Sequence, residues 1–418
     1  MVITQKKEAW SKQPLGNVAS VISGYAFKSS DFGSTGIPVI KIKNIRVGHV
    51  DLGEADHVNA KFLSISDRFH IRAGDVLISL TGSHISQPNS VVGRVARHAV
   101  GQPTCLLNQR AGKITIKEPK VCDAGFLFYA LSEKETMYAI AMKAHGAASQ
   151  ANVSPTQVES VEIPLPPLPI QKRIAGILNA YDELIENSQR RIKTLEAMTR
   201  ALYREWFVHF RFPGSENHPR VASALGEIPQ GWEVKKLGDL VEFKKGKKPV
   251  AVFESEEGGL QRHLLIDALR GGSSREFVAP DKLISTTSDD TIMVMDGSGS
   301  SDVFIGHEGV IGSTLGRYRT KVDVEIGPFW LFLFFSSHLA EIKSKNVGSA
   351  IPHANKDFIN SMNLVIGPED VMQAFEKAVK PMFGLIRSLN NKVNTLRNSR
   401  DLLLPRLLSG QINVDATP

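Results

Sequence analysis

The stretches WSKQPLGNVASVISG, from Trp10, and WEVKKLGDLVEFKKG, from Trp232, share one skeleton. Trp10, Leu15, Gly16 and Gly24 fall at the same spacing as Trp232, Leu237, Gly238 and Gly246. The agreement continues downstream. DVLISLTGS from Asp75 matches DTIMVMDGS from Asp290: an acid, a short apolar run, then Gly-Ser. Such a run reads as a turn, a buried strand and a loop whose glycine permits backbone angles other residues resist. SVVGRVA around Gly93 pairs with GVIGSTL around Gly312, and Val158, Val161 and Ile163 pair with Ile359, Met362 and Leu364 before a proline in each half. Matches in one order over this length mean a tandem duplication. Two copies of such length exclude a solenoid of short repeats.

Each copy runs into a long helical stretch. Ile174, Leu178, Tyr181, Ile185, Ser188, Ile192, Leu195, Thr199, Leu202 and Trp206 alternate steps of four and three, a heptad seam. Pro169 suits its first turn. The second stretch gives Val371, Phe375, Ala378, Met382, Leu385, Leu389, Lys392, Leu396, Ser399 and Leu403, after Pro368, Glu369 and Asp370, which favour a helix start. Some 35 residues in a helix span about 50 Å. Two apolar stripes of equal length in a duplicated chain predict an antiparallel coiled coil. The expected order is a first globular domain at 1–168, a helix at 169–211, a Pro/Gly/Ser-rich linker at 212–231, a second globular domain at 232–367, and a second helix with a tail at 368–418.

Bulk properties bound the function. A chain of 418 residues is too long for one ordinary core. The net charge of +7 and pI of about 9.2 suit a polyanionic partner without requiring one. Two cysteines, Cys105 and Cys122, rule out a disulfide framework, and no cluster has zinc-ligand spacing; a reducing cytoplasm is expected. The opening MVITQKKEAW lacks the apolar segment of a signal peptide. The run IGPFWLFLFF from Ile326 is about half of a membrane span and reads as a buried strand or helix.

Catalytic signatures are missing. There is no GxxxxGK[ST] phosphate loop and no Asn/Asp-Pro-Pro-aromatic motif of a methyltransferase. DGSGSSD from Asp296 starts like a dinucleotide loop, but Asp302 stands where the third glycine is needed. Asp281, Glu341 and Lys343 make a nuclease-like pattern of a kind that short sequences produce by chance. The domains read as binding modules with no cofactor and no metal.

Polar and basic residues gather instead on the expected loops. In the first copy they are Lys28, Ser29, Ser30, Lys41, Lys43, Asn44, Ser83, Gln87, Asn108, Gln109, Arg110, Gln150 and Asn152. In the second they are Lys244, Lys245, Lys247, Lys248, Ser298, Ser300, Ser313, Thr314, Arg317, His353, Asn355 and Lys356. Lys and Arg neutralise phosphates, while Asn, Gln, Arg and Ser hydrogen-bond base edges. Similar frames with dissimilar loops point to two different half-sites on DNA.

These segments resemble the specificity subunit of type I restriction–modification systems. GYAFKSSDF, GIPVIKIKNI and GDVLISLTGS resemble one class of its target recognition domains; VFIGHEGVIGSTL and GSAIPHANKD resemble another. LPPLPIQKRIAGILNAYDELIENSQRRI and RDLLLPRLLSGQI resemble its central and terminal spacer helices, and LGEIPQGWEVKKLG the approach to its second domain. The chain departs from the family pattern at Ile170, where Glu is expected before Gln171, and its second helix lacks the Pro-x-Gln start. The resemblance implies α/β (α+β) recognition domains in tandem, each binding half of a bipartite, asymmetric site on double-stranded DNA. It implies helices that fix the unread gap and dock two DNA-adenine methyltransferase subunits, which bring S-adenosylmethionine and flip the target base. Restriction/translocase subunits complete such complexes. A type IIB-like enzyme, whose partner both methylates and cuts, fits the same architecture. A protein-only coiled-coil scaffold would account for the heptads alone.

Overall fold

The computed structural model describes residues 10–414 apart from 85, 87–90, 148–149, 273–275, 323, 325 and 349. The chain divides into two compact units, Met1–Leu184 with Leu396–Pro418, and Ile185–Thr395. Each long helix contributes to both.

In the first unit, Val76–Ser79 is the central strand of a five-stranded sheet. It lies between Ala111–Ile116 and Val95–Arg97, with Ala19–Ser23 and Gly48–His49 at the edges. It is buried throughout, and apolar up to Ser79, because both its faces are covered. Val76 and Ile78 pack towards the helices Ala124–Ser132 and Lys134–Met142, whereas Leu77 packs with Ile40, Ile71 and Leu107 of a second sheet. That sheet runs Phe32–Gly33, Asp56–Val58, Ile37–Ile40, Cys105–Leu107, His70–Ile71, with one parallel pair, Ile37–Ile40 beside Cys105–Leu107.

The second unit rebuilds this frame. Its first sheet runs Val241–Lys245, Leu315–Thr320, Thr291–Val294, Val303–Phe304. Its second runs Phe277–Val278, Gln261–Leu264, Gly309–Ile311, Ser285–Thr286, again with the inner pair parallel. Ile292 and Val294 face this second sheet, and Met293 faces the helix Pro328–Ser337. That helix contains most of the apolar run noted in the sequence. Among the described residues no helix is long and apolar enough to cross a membrane.

The repeated opening phrase serves this frame. Leu15 and Leu237 are fully buried, and their N–H groups donate to Val161 O at 2.8 Å and Met362 O at 2.9 Å. Gly24 and Gly246 lie so close to the next strand that a Cβ would strike the carbonyl oxygens of Leu107 and Gly312. Trp10 covers Gly410, whereas Trp232 packs against Phe207, Phe210 and Phe212. The pairing of Gly93 with Gly312 needs correction. Gly93, at φ +79°, precedes strand Val95–Arg97, but Gly312 follows strand Gly309–Ile311. The counterpart of Gly312 is Asn108: their N–H groups donate to Leu264 O and Ile40 O, each at 3.0 Å. Both glycine-centred strings flank apolar strands, and that likeness misaligned them.

The long helices run Leu168–Tyr203, followed by a π-turn at Arg204–Val208, and Glu369–Leu408. Every seam position of the first helix is buried or half-buried. In the second helix alternate positions shift by one residue. Ala378, Leu385 and Lys392 are exposed, and the seam runs Phe375, Val379, Met382, Ile386, Leu389, Val393, Leu396, Arg400, Leu403 and Leu407. The displacement along the chain that takes Val161 to Met362 takes Ile174 to Phe375, Leu178 to Val379 and so on to Leu407. The duplication therefore sets the seam, and local hydrophobicity misread it. Within the first unit Ile174 and Leu178 share a core with Leu403, Leu404 and Leu407; within the second, Tyr203, Trp206 and Phe207 share one with Met372, Phe375 and Val379. In each unit the start of one helix is packed with the end of the other, so they run antiparallel.

Candidate nucleic-acid interface

Four segments lie side by side at one end of the first sheet in each unit. In the first unit Gln109 N–H donates to Tyr25 O (2.9 Å), Leu80 N–H to Arg110 O (3.0 Å) and Val153 N–H to Leu80 O (2.9 Å). In the second, Gly246 N–H donates to Leu315 O (2.8 Å), Met295 N–H to Thr314 O (2.7 Å) and Ala354 N–H to Met295 O (2.8 Å). The strands end here, and the connecting residues project from a rigid frame into solvent.

Among the candidates in the first unit, Gln109, Arg110, Gln150 and Asn152 are exposed on these segments. Ser83 is half-buried beside them, and Gln87 lies outside the described residues. Lys28, Ser29 and Ser30 are exposed on a short turn that begins with Asp31 accepting from Lys28 N–H at 2.7 Å. Lys41 and Lys43 both reach Asp56, at 3.0 and 3.1 Å. The Lys41 hydrogen bond, supported by Lys43, holds the Asp56 carboxyl below its ordinary range. Asn44 is interior: its Oδ1 accepts from Lys41 N–H at 3.0 Å and its Nδ2 donates to Asp51 O at 2.9 Å. Asn108 is buried too, its Oδ1 facing Arg110 N–H in the turn. Both side chains lie inside the fold rather than at its surface.

In the second unit, Lys247, Lys248, Ser298, Ser313, His353 and Lys356 are exposed, and Thr314 is half-buried. Lys244 pairs with Glu242 at 2.8 Å, and Lys245 with Asp296 at 2.9 Å. Three candidates have structural duties instead. Ser300 is buried and its Oγ donates to Pro352 O at 2.6 Å. Asn355 caps the helix Lys356–Ser361, accepting from Phe358 N–H at 3.0 Å, as Ser154 caps Pro155–Glu159. Arg317 is buried, donating to Ser285 O at 2.9 Å and to Glu242 at 2.8 Å. Lys113 stands in its place in the first unit, donating to His70 O and to Asp75. The expectation of a loop arginine at 317 fails because sequence alone does not show which face of a strand a residue occupies.

Among the described residues no acid pairs with Lys28, Arg110, Lys247, Lys248 or Lys356, so these cations remain available to an anionic ligand. Lys343 is tied to Asp302 at 2.6 Å, away from any nuclease arrangement, and no group of three His, Cys, Asp or Glu among the described residues could hold a metal. Sequence reasoning passed over Thr81 and Asp296. Thr81 Oγ1 donates to Asn152 Oδ1 at 2.7 Å, and Asp296 Oδ1 meets His353 Nδ1 at 2.7 Å. Aligning the two copies was the signal that would have found them. It also passed over an aromatic cluster, Tyr25, Phe27, Phe32, Phe62 and Phe69, with Lys41 Nζ 3.5 Å from the Phe32 ring centre and Arg68 over Phe69.

Residues 7–197 and 229–394 match the family described as "Type I restriction modification DNA specificity domain". The chain belongs to this family. The duplicated frame is thus two specificity domains in tandem. Among relatives, the type I restriction enzyme MjaIX specificity subunit of Methanocaldococcus jannaschii is 25% identical over 346 residues, 75% of this chain and 78% of that one. The EcoKI specificity subunit of Escherichia coli strain K12 is 20% identical over 448 residues, covering 97% of this chain and 89% of its own. A crystal structure of the type I restriction–modification S subunit from M. genitalium superposes with a TM-score of 0.61 at 16% identity, over 97% of this chain and 98% of that one. That likeness establishes the shared fold.

Proposed function

We propose that this chain is the DNA specificity subunit of a type I restriction–modification complex, acting in the cytoplasm and catalysing nothing itself. The observation that carries the reading is one frame built twice with different side chains at matched loop positions. Gln109 and Arg110 stand where the second unit has Ser313 and Thr314, and Asn152 where it has His353. A protein that reads two unlike DNA words needs such an arrangement: shared support and unlike contacts. Family membership favours this over a protein-only scaffold.

In this reading the exposed cations Lys28, Arg110, Lys247, Lys248 and Lys356 meet phosphates, and Gln109, Gln150, Asn152, Ser298, Ser313 and His353 approach base edges. The paired helices set the interval between the half-sites and dock two DNA-adenine methyltransferase subunits. Restriction subunits join that assembly.

Duplex binding by the complex, measured by fluorescence anisotropy across a salt series, tests the placement. Lys247→Ala is expected to weaken binding to all sequences and lower the salt slope by about one. Gln109→Ala is expected to relax preference at one base pair by ~1–3 kcal/mol. Unchanged binding and selectivity in both variants would show that these loops do not face DNA.

A further inference from the structure

The matched positions Thr81–Asn152 and Asp296–His353 differ in a way that assigns hydrogen-bond polarity to each unit. Asn152 pairs with Thr81 and with His145 across neighbouring strands, and His353 bridges to Asp296 and to Val347 in the same pattern. In both units a glycine turns the adjoining segment: Gly146 at φ +130° and Gly348 at φ +90°. A Cβ on either would collide with a carbonyl oxygen, of Gln150 or Ile351. The backbone frame around the two pairs is therefore common to both units.

The side chains present opposite chemistry. Thr81 Oγ1–H occupies Asn152 Oδ1, leaving the exposed Nδ2 group as a donor without a partner among the described residues. In the second unit Asp296 is half-buried. Burial opposes its ionisation, but hydrogen bonds from His353 and Lys245 outweigh it and hold the carboxyl below its ordinary range. The carboxylate accepts from His353 Nδ1–H at 2.7 Å and fixes the ring, whose side chain is 47% exposed. In the neutral ring, Nε2 is then the acceptor of this partly exposed side chain.

We propose that Asn152 and His353 are matched specificity-determining residues, with Thr81 and Asp296 as the positioning residues that set their polarity. Asn152 favours a base edge offering an acceptor, such as guanine O6 or N7. His353 favours one offering a donor, the exocyclic amine of cytosine or adenine. The inference rests on the reading of both units as DNA readers.

The test is a genome-wide map of N6-methyladenine made by the chain together with its methyltransferase partner. The unsubstituted complex comes first: if it writes no two-part motif, the reader function fails and this inference with it. With the motif present, His353→Ala is expected to relax one base pair of one half-site roughly tenfold or more, leaving the other half as strict as before. Asn152→Ala should do the same to the opposite half. His353→Asn should retain the preference, because Asp296 can accept from the amide and leave Oδ1 outward. If His353→Ala does not assemble, Asp296→Ala, which frees the ring without removing it, carries the same expectation. Alanine variants that leave both halves strict, or relax both halves together, would overturn the assignment.

Discussion

The two units hold the long helices with different side chains at matched positions. In the first, polar contacts join the apolar core: Asp182 accepts from Tyr129 Oη–H at 2.6 Å and from Arg400 at 2.6 Å, while Arg97 and Tyr129 share Asn179 Oδ1. In the second, Phe383 stands at the place of Asp182 and stacks on Phe329, ring centres 4.5 Å apart and ring planes nearly parallel. Tyr203, Trp206, Phe207, Trp330 and Phe375 pack against one another in the same core. The duplicated backbone specifies where the helices pack. It leaves free whether charge or ring stacking secures them. Directional hydrogen bonds need each partner present, whereas an aromatic core responds mainly to lost volume.

Breaking the aromatic joint should have the largest effect. Phe375 is fully buried against Tyr203, Trp206 and Phe207, and Phe375→Ala is expected to destabilise the second unit by about 3–5 kcal/mol. Three of the chain's four tryptophans, Trp206, Trp232 and Trp330, lie in that unit, so intrinsic fluorescence during urea unfolding reports on it. Breaking the polar joint is the smaller perturbation. Arg400→Ala leaves Asp182 half-buried with one donor fewer and should cost ~1–3 kcal/mol in the first unit, read by hydrogen exchange of Ala124–Ser132.

The smallest expected effect depends on pH. Gln171 is buried in the first unit, where its neutral amide accepts from Asp123 N–H at 2.8 Å beside the helix Ala124–Ser132. The second helix lacks that glutamine, and Glu376, one turn further on, accepts from Trp330 N–H at 2.7 Å instead. Burial pushes the Glu376 carboxyl up to about 7, against the opposing pull of the Trp330 and Phe329 amides; Asp289 adds to the rise and Lys380 counters it. The unfolded chain releases this proton in the ordinary carboxyl range, so the folded state binds more protons between there and pH 7. This contribution to stability is complete below that range, declines as pH rises through about 7 and is absent above it. Glu376→Gln should flatten the dependence, visible as a smaller difference in Tm between pH 5.5 and pH 8. An unchanged difference would mean that Glu376 ionises normally.

The duplication, the buried strands and the first helical seam were legible because each repeats a local pattern. Val76–Ser79 and Thr291–Val294 are mostly apolar runs with a glycine three residues beyond, and Ile174 to Trp206 follow an unbroken heptad. The second seam was not legible locally. Leu385 and Ile386 are both apolar neighbours, and only the displacement between the copies decides between them. The site divided along the same line. Exposed positions such as Gln109, Arg110, Lys247 and His353 follow from turn-rich composition. Asn44, Ser300, Arg317 and Asn355 face inward for reasons of strand side and capping that a string of letters does not contain. Asp296 and Thr81 acquire meaning only when the copies are superposed.

Two unlike units that read two unlike words of one DNA site leave a distinctive mark on the DNA whose methylation they direct. Mapping N6-methyladenine across a genome that expresses this chain with its methyltransferase partner reads it directly. The expected result is a bipartite motif, two different short sequences around an unspecified interval of constant length. A single continuous word, a palindrome of two identical halves, or no sequence-specific methylation by the assembled complex would contradict it.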